Sequence, residues 1–507
     1  MAKIDRKIPA TMATQHPDNA FPAYWDETKH PFIGVHKEII EAVHCFKDLG
    51  VSEYMWDWEG KHADAAVIDR LFSDNYKYFS EHQLGRDEFL TFRIPNIWEE
   101  KGYTLLQAMT VILTSEDFAR DLKFQQRPLF EIILPMTESA DQLMEMHTVF
   151  EKLARFKSKE FTPKLEVNDD YLALIPLVES VESQLSIRKL LEKYVSLHKK
   201  HFGEEPEYIR PFLARSDPAL VSGLLATVIA NKIALSQVYE FSKASSIPVF
   251  PISGVGSLPF RGGLTPDTVD MYLKEYPGMR TVSVQSSFRY DHSLASVKAA
   301  IKRLEEELPK GKPRILSSET QEAMIQIGSR ASKYYQDTLN KIAADMQPFW
   351  GAIPKRRDRR QHIGLLAYGR KVGAQKMPRA ITFTAGFYSI GVPPELIGIG
   401  RLLKSLSEEE IKVLEKEYPS MKDDIYRAGR YLNVDNLALL AAKNSAWKDV
   451  EKDIKFTEAF FGSPIRPVTT IEKAHKNLTA NVLILRHNKE ALSSLLNQMA
   501  EIRRSLG

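Results

Sequence analysis

The chain has 507 residues, and 43% of them are hydrophobic, which is enough for a large folded core. Its 69 basic and 66 acidic residues leave a formal net charge of +3, which argues against a protein that coats a polyanion. A single cysteine excludes an internal disulfide, and the lack of an apolar leader or a long apolar run predicts a cytoplasmic protein without a membrane span.

The first distinctive segment is Thr14–Asn19, which places an imidazole and a carboxylate two residues apart with a proline between them. Pro17 fixes its own φ and keeps His16 out of the helical region, so the imidazole is presented from a rigid extended turn. A group with a pKa of about 6.5 can donate or accept a proton near neutrality. The alternative is that Asp18 or Asn19 caps a helix and His16 has no chemical role.

Short β-branched and aromatic runs then alternate with longer stretches of helical spacing, as in βα units around a parallel sheet. The candidate strands are Glu53–Trp58, Phe89–Arg93, Leu129–Leu134, Leu172–Leu177, Tyr208–Leu213, Ile247–Ile252 and Thr281–Gln285. An eighth strand at Ile381–Thr384 would complete a barrel.

We therefore predict an α/β fold, a (β/α)₈ TIM-type barrel with additional helices, mostly C-terminal. The chain is expected to form one large domain, 1–507, whose barrel is built mainly from residues 50–290 plus a strand near 381–384. A helical excursion is predicted for 294–350. A helical C-terminal region is predicted for 400–507, where Ser407 and Glu410 form a capping-box pattern.

Carboxylates follow two of the predicted strands. In a barrel, the loops after the strands converge on one mouth, so polar residues at strand ends indicate a site. Glu179 and Asp217 are the metal candidates, because hard oxygen ligands suit Mg²⁺ or Mn²⁺. Asp217 precedes a proline, however, and could equally cap a helix.

The segment Gly254–Leu264 contains four glycines and an embedded arginine. Glycines let the backbone approach a ligand closely, and Arg261 adds a bidentate donor for phosphate or carboxylate. The spacing fits neither a Walker loop nor a dinucleotide loop, and a plain loop with glycine turns is the alternative. Arg93 and Arg289 could each contact an anion or form a structural ion pair.

The run Lys355–Arg360 resembles a nucleic-acid patch at first sight. It contains Asp358, lacks regularly spaced aromatic neighbours and lies in a nearly neutral chain, so a solvated or phosphate-contacting loop is favoured. We expect no nucleic-acid partner.

Five ordered segments together resemble the archaeal-type phosphoenolpyruvate carboxylases, from about residue 10 to the C-terminus. They are Ala13–Asn19, Leu174–Leu185, Phe212–Gly223, Gly256–Leu264 and Pro378–Gly398. The resemblance implies that phosphoenolpyruvate and bicarbonate give oxaloacetate and phosphate through carboxyphosphate and pyruvate enolate. It also implies Mg²⁺ or Mn²⁺, no biotin and a homotetramer.

The resemblance gives the candidate residues roles. Glu179 and Asp217 match the family's metal ligands, and His16 matches the histidine that takes the carboxyphosphate proton. Arg261 matches the phosphate-binding arginine of the glycine loop, and Arg93 matches a further active-site arginine.

The remaining substrate-binding candidates are Gly262 and Gly263 of the glycine loop and Arg289. The longer family members carry a lysine where this chain has Leu220, and they have a histidine and an arginine that are also missing here. Some anion contacts must therefore come from elsewhere, and the candidates are Lys61, Arg289 and the Lys355–Arg360 loop. The tail Arg504–Gly507 echoes the tail of the longer enzymes, so we predict that it folds back toward the site.

One other enzyme class fits the same residues. A metal-dependent barrel lyase or phosphotransferase that acts on phosphoenolpyruvate or pyruvate would use the same carboxylates and arginines but would need no bicarbonate.

Overall fold

The computed structural model describes residues 6–100, 102–161, 171–360 and 366–507. Eight parallel strands close a barrel in chain order, and the last strand pairs with the first. These strands are β1 (Thr11–Thr14), β2 (Glu53–Asp57), β3 (Phe89–Arg93), β4 (Glu131–Leu134), β5 (Ala173–Val178), β6 (Phe212–Ala214), β7 (Ile252–Gly254) and β8 (Thr281–Val284).

Helices connect the strands and continue beyond the barrel. Those up to the last strand are α1 (Glu38–Lys47), α2 (Val67–Asp74), α3 (Tyr76–Glu81), α4 (Tyr103–Asp121), α5 (Ala140–Phe161), α6 (Val181–Leu185), α7 (Ile187–Phe202), α8 (Ser216–Ser222), α9 (Leu224–Ser245) and α10 (Val269–Glu275). After β8 come α11 (Ser286–Tyr290), α12 (Leu294–Glu307), α13 (Ser318–Trp350), α14 (Ala380–Ser389), α15 (Ile399–Ser405), α16 (Glu408–Glu417), α17 (Met421–Gly429), α18 (Val434–Lys443), α19 (Trp447–Phe461), α20 (Thr470–Ile484) and α21 (Lys489–Arg503). Two antiparallel strands, β9 (Leu366–Val372) and β10 (Gln375–Pro378), form a hairpin between α13 and α14.

The predicted barrel is confirmed, and seven of its strands overlap or adjoin the predicted runs. The predicted strand at Ile381–Thr384 is wrong, because this segment lies in α14 and the strand that completes the barrel is β1. A helix buried on all sides has no polar face, so its apolar run cannot be told from a strand by periodicity. Phe383 and Phe387 of α14 are both fully buried. Helices also occupy both stretches predicted to be helical.

The barrel interior is layered. Alternate strand residues point inward and form an apolar middle layer that includes Met12, Ile175 and Phe212. Below it, buried Arg210 pairs with Glu53 at 2.6 Å and with Glu131 at 2.8 Å. Apolar packing and compensated charge therefore fill the lower barrel, and the ligand-binding face is left to the carboxyl ends of the strands.

The helices after the barrel pack into a second apolar core around α13. Trp350 at the end of α13 stacks on Phe383 of α14, with ring centroids 5.8 Å apart. This packing holds the start of α14, where Arg379 is the N-cap residue. In the described part of the chain, no helix is long and apolar enough to cross a bilayer.

Candidate active site

The carboxyl ends of the strands bring most of the predicted site residues together. His16 follows β1, Arg93 ends β3, and Glu179 follows β5. The charges of Arg93 and Arg261 both act on the pKa of His16, and Arg93 also acts on the pKa of Glu179. Asp217 in turn acts on the pKa of Arg261. These five residues therefore share one electrostatic environment at the barrel mouth.

Glu179 and Asp217 form the acidic part of this site. Burial, followed by the neighbouring carboxylates Asp217 and Glu59, raises the pKa of Glu179 above its ordinary value of 4.5. Burial alone would also raise the pKa of Asp217, but the guanidinium of Arg370 lowers it. Negative charge on Glu179 and Asp217 is therefore stabilised only where a positive group lies close to them.

Buried amides hold the ends of β5 and β6 in place. Gln184 of α6 donates from Nε2 to the carbonyl oxygen of Ala214 at 2.7 Å, and Asn231 of α9 donates to the same oxygen at 3.1 Å. Asn231 also donates to the Gln184 side chain at 2.7 Å. Because Glu179 and Asp217 follow these two strands, the amides fix the separation of the backbone segments that carry the carboxylates.

An arginine from the hairpin satisfies Asp217. Arg370 of β9 donates from Nε to Asp217 Oδ1 at 2.6 Å and from Nη2 to Oδ2 at 2.5 Å. The N-cap position of α8 belongs to Arg215 rather than Asp217, and no side chain caps that helix. The interpretation of Asp217 as a helix cap is therefore wrong.

This donor set fits a divalent cation. Two half-buried carboxylates follow adjacent strands, and a positive group already lies against one of them. Mg²⁺ commonly takes only one or two protein carboxylates and completes its shell with water and substrate oxygens. Glu179 and Asp217 would hold the ion, and Arg370 would have to give up at least part of its contact with Asp217.

His16 is a neutral imidazole in this environment. Its Nδ1 lies 2.8 Å from the Thr14 hydroxyl, which fixes the ring at the end of β1. Burial, followed by the charges of Arg93 and Arg261, lowers its pKa well below 6.5. No helix begins at Asp18 or Asn19, so the helix-cap interpretation of the motif is wrong. A neutral imidazole at pH 7 can accept a proton.

Arg93 is held by two acids. It donates from Nε and Nη2 to Asp57 at 3.0 and 2.8 Å, and its Nη1 lies 3.1 Å from Glu59 Oε2. Burial alone would lower the pKa of Arg93, but these carboxylates raise it. The guanidinium is therefore a fixed positive charge that reaches His16 and Glu179.

Arg261 is fully buried at the centre of the glycine loop. Its Nη1 donates to Asp18 at 3.1 Å, Nη2 donates to the Gln285 side chain at 2.5 Å, and Nε donates to Ser216 at 3.2 Å. A Cβ at Gly256 would lie only 2.8 Å from Cζ of Arg261. The glycine therefore lets the guanidinium lie against the loop backbone, while the predicted approach of this loop to a ligand stays a prediction.

Gly262 and Gly263 shape the turn that carries Arg261. Their φ values are +118° and +72°, which other residues rarely adopt. A Cβ at Gly262 would lie 2.6 Å from Val255 Cγ1. Their predicted contact with substrate stays a prediction.

The tail returns to this arginine. Leu506 donates its N–H to the Asp18 carbonyl at 2.7 Å, and the Gly507 carbonyl accepts from Arg261. Arg503 steadies the turn by donating to the Leu506 carbonyl at 3.0 Å. The prediction that the tail folds back toward the site is confirmed.

Deleting residues 504–507 is expected to lower kcat/KM about tenfold, because a charged donor then loses a hydrogen-bond partner. Steady-state kinetics and circular dichroism of the truncated chain would check this. Unchanged kinetics in a folded truncated chain would show that the tail contact has no role.

Arg289 does not join the cluster. Its Nη1 donates to the carbonyls of Thr14 and Val284 at 3.0 and 2.8 Å, and its Nη2 donates to Glu41 at 2.7 Å. Both terminal nitrogens serve the junction of barrel and helices, so the geometry gives its predicted substrate contact no support. The sequence left the role of Arg289 open, because the position of a residue near the end of a strand does not reveal which way its side chain points.

The ion pairs of Glu41 lead to a stability prediction. Burial alone would raise its pKa, but Arg357 and Arg289 lower it from 4.5 to about 2. The carboxylate thus contributes about 3 kcal/mol at pH 7, which is lost as the pH falls from about 5 toward 2. Glu41→Gln is expected to lower the free energy of unfolding by about 3 kcal/mol at pH 7 and by much less at pH 3. Urea unfolding at the two pH values would measure this difference, and Glu145→Gln, at an exposed position, is the control. An equal loss of unfolding free energy at both pH values would contradict the prediction.

The basic loop is mostly internal rather than a surface patch. Arg356 donates to the Asn19 carbonyl at 2.9 Å, Arg357 pairs with Glu41 at 2.7 Å, and Arg360 donates to the Lys61 carbonyl at 2.9 Å. A nucleic acid could not reach these guanidiniums, which speaks against that alternative.

Lys61 is also internal. It is buried between Glu38 at 2.5 Å and the Gln15 side chain at 2.8 Å. These contacts give its suggested role in anion binding no support.

Sequence reasoning assigned no role to two arginines that the structure places here. Arg370 lies in a glycine-flanked hairpin. The only indication of a role in its sequence was that it lies close to the segment Pro378–Gly398, which resembles the family. Arg379 acts on the pKa of Asp217, and its buried Nε has no hydrogen-bond partner among the described residues. A cavity of about 250 Å³ beside the site is lined by Glu179, Asp217 and Arg370, among others.

The chain is similar to proteins of one family over nearly its whole length. The family model described as phosphoenolpyruvate carboxylase matches residues 8–507. A phosphoenolpyruvate carboxylase of Leuconostoc mesenteroides subsp. mesenteroides is 50% identical over 503 residues, covering 99% of each chain. The proteins of the same name from Oenococcus oeni and Metallosphaera sedula are 48% and 36% identical, over 100% and 99% of this chain and 100% of their own. The similarity thus spans the barrel and the C-terminal helices together.

Proposed function

The chain belongs to the phosphoenolpyruvate carboxylase family, and we propose that it carboxylates phosphoenolpyruvate with bicarbonate to give oxaloacetate and phosphate, as a carbon–carbon lyase. The observation that carries this proposal is the convergence of a neutral imidazole, two metal-compatible carboxylates and a buried arginine at one barrel mouth. Each part matches a requirement of the reaction.

We propose that Glu179 and Asp217 hold Mg²⁺ or Mn²⁺. Such an ion, when bound, neutralises negative charge on phosphate and enolate oxygens. Arg261 and Arg93 supply the remaining positive charge from protein groups. Biotin is not expected to take part, because carboxyphosphate itself carries the activated carboxyl group.

The first step is proposed to be phosphoryl transfer. An oxygen of bicarbonate attacks the phosphorus of phosphoenolpyruvate, and the bond from phosphorus to the enol oxygen breaks. Its electron pair stays on that oxygen, which gives pyruvate enolate and carboxyphosphate. Arg261, which lies against the loop backbone because Gly256 has no Cβ, is proposed to bind the transferring phosphoryl group.

In the second step His16 acts as a base. Its lowered pKa keeps it neutral, so it can take the proton from the carboxyl group of carboxyphosphate. The carbon–oxygen bond to phosphate then breaks, and CO₂ forms beside the enolate. The enolate carbon attacks CO₂ to make the new carbon–carbon bond, and the proton passes from His16 to the departing phosphate.

This chemistry requires a site that excludes water, since a proton that reaches the enolate carbon gives pyruvate instead. The β9–β10 hairpin contributes to this by reaching across the mouth to Asp217 through Arg370. Arg93 and Arg261 are 93% and 99% buried.

The proposal also covers the location, the partners and the oligomeric state of the enzyme. We propose a cytoplasmic enzyme, because no helix in the described residues could span a membrane and the chain has one cysteine. Its partners are the small-molecule substrates. A homotetramer is favoured by the family resemblance, and exposed apolar residues such as Leu439, Ile471 and Ile484 on the C-terminal helices leave surface for it.

The test is a coupled assay for oxaloacetate with phosphoenolpyruvate and Mg²⁺, with and without bicarbonate. The proposal expects oxaloacetate only when bicarbonate is present. Release of pyruvate and phosphate regardless of bicarbonate would instead favour a metal-dependent lyase or phosphotransferase. No turnover with either mixture would overturn the proposal.

A further inference from the structure

In the loop Lys355–Arg360, anchored arginines lie on both sides of Arg359. Before it, Arg357 pairs with Glu41 and Glu38 at 2.7 and 3.2 Å. After it, Arg360 donates to Thr104 and to the Tyr103 hydroxyl at 2.7 and 2.8 Å. These contacts hold the intervening backbone rigidly, so Arg359 is presented at a fixed place.

Arg359 differs from Arg357 and Arg360, whose terminal nitrogens donate to Glu38, Glu41, Tyr103 and Thr104. Its Nη1 is buried and has no hydrogen-bond partner within the ranges that the structure describes. Burial, together with the positive charges of Arg379 and Arg93, lowers its pKa to about 9. Leaving a buried guanidinium nitrogen unpaired is costly, so such a group indicates an anion that binds there.

The surroundings indicate which anion. Arg359 acts on the pKa of both His16 and Asp57, and the charges of Arg379 and Arg93 act on its own pKa, so it belongs to the charged groups around the mouth. On the metal side, Arg370 pairs with Asp217. In the proposed reaction His16 meets the carboxyl group that comes from bicarbonate. A planar guanidinium whose charge acts on His16 can pair with a planar oxyanion that this histidine meets.

We propose that Arg359 binds bicarbonate and then the carboxyl group of carboxyphosphate, which orients that group toward His16. This inference rests on the proposed function and names the residue that binds its second substrate. It also supplies one of the anion contacts that this chain must find outside the positions used by the longer family members.

The test compares Arg359→Gln with Lys355→Gln, which removes the same charge from an exposed position of the same loop. Arg359→Gln is expected to raise KM for bicarbonate at least about tenfold, with KM for phosphoenolpyruvate changed less than about twofold. Arg359→Lys keeps the charge but loses the planar fork, and an intermediate rise is expected. Lys355→Gln should match the parent.

Several results would overturn the inference. They are an unchanged KM for bicarbonate, a rise confined to KM for phosphoenolpyruvate, or an equal rise in Lys355→Gln. Thermal melting confirms that each variant is folded, and Arg359→Lys provides the comparison if Arg359→Gln does not fold. Failure of the proposed function is distinguished because the parent chain itself would then make no bicarbonate-dependent oxaloacetate.

Discussion

Replacing Asp217 with asparagine is expected to lower kcat about a thousandfold while the chain stays folded. An amide carries no charge and is a weak ligand for a hard cation, so one of two proposed metal ligands is lost. The same change removes the acceptor pair for Arg370. Binding of Mn²⁺, followed by electron paramagnetic resonance, should weaken at least about tenfold.

Asp358→Asn is a matched control for this variant. Asp358 is an exposed acid of the basic loop, so its loss changes the net charge equally without touching the proposed metal ligands. The control should bind Mn²⁺ as the parent does. If Asp217→Asn also bound Mn²⁺ with the parent's affinity, Asp217 would not be a metal ligand.

Replacing His16 with asparagine is expected to lower oxaloacetate formation at least about a hundredfold, because the base for the second step is gone. The first step does not need this base, so bicarbonate-dependent release of phosphate should fall much less, with pyruvate replacing oxaloacetate. The ratio of pyruvate to oxaloacetate is therefore the decisive quantity. It distinguishes a chemical role for His16 from general damage to the fold.

Chromatographic separation of the two keto acids would measure this ratio. His62→Asn, at an exposed position, serves as control and should keep the parent ratio. Equal losses of oxaloacetate and phosphate in His16→Asn would contradict a role confined to the second step.

The barrel could be predicted from sequence because most strands are short apolar runs bounded by turns. The run Phe89–Arg93 matches β3 at both ends. The strand Thr11–Thr14 was not predicted, because four residues that include an alanine show little strand propensity. Its pairing with β2 and β8 is entirely long-range. Ile381–Thr384 was predicted as a strand but lies in a helix, because a buried helix shows no polar face that would distinguish its apolar run from a strand.

The positions of candidate site residues were predictable where these residues follow strands, as at Glu179 and Asp217. It was less predictable where the decisive contact joins distant segments. Arg370 meets Asp217 across 153 positions of the chain, and nothing local in either segment indicates that pair. Arg289 shows the reverse, because its sequence context suggested a site but its Nη2 donates to Glu41, which lies 248 positions away in the chain.

The most direct test of the account is the fate of oxygen from ¹⁸O-labelled bicarbonate during a reaction too short for exchange with water. If bicarbonate attacks phosphorus at this site, one labelled oxygen should appear in phosphate and two in the new carboxylate of oxaloacetate. Unlabelled phosphate, with label only in oxaloacetate or in neither product, would contradict the proposed route through carboxyphosphate.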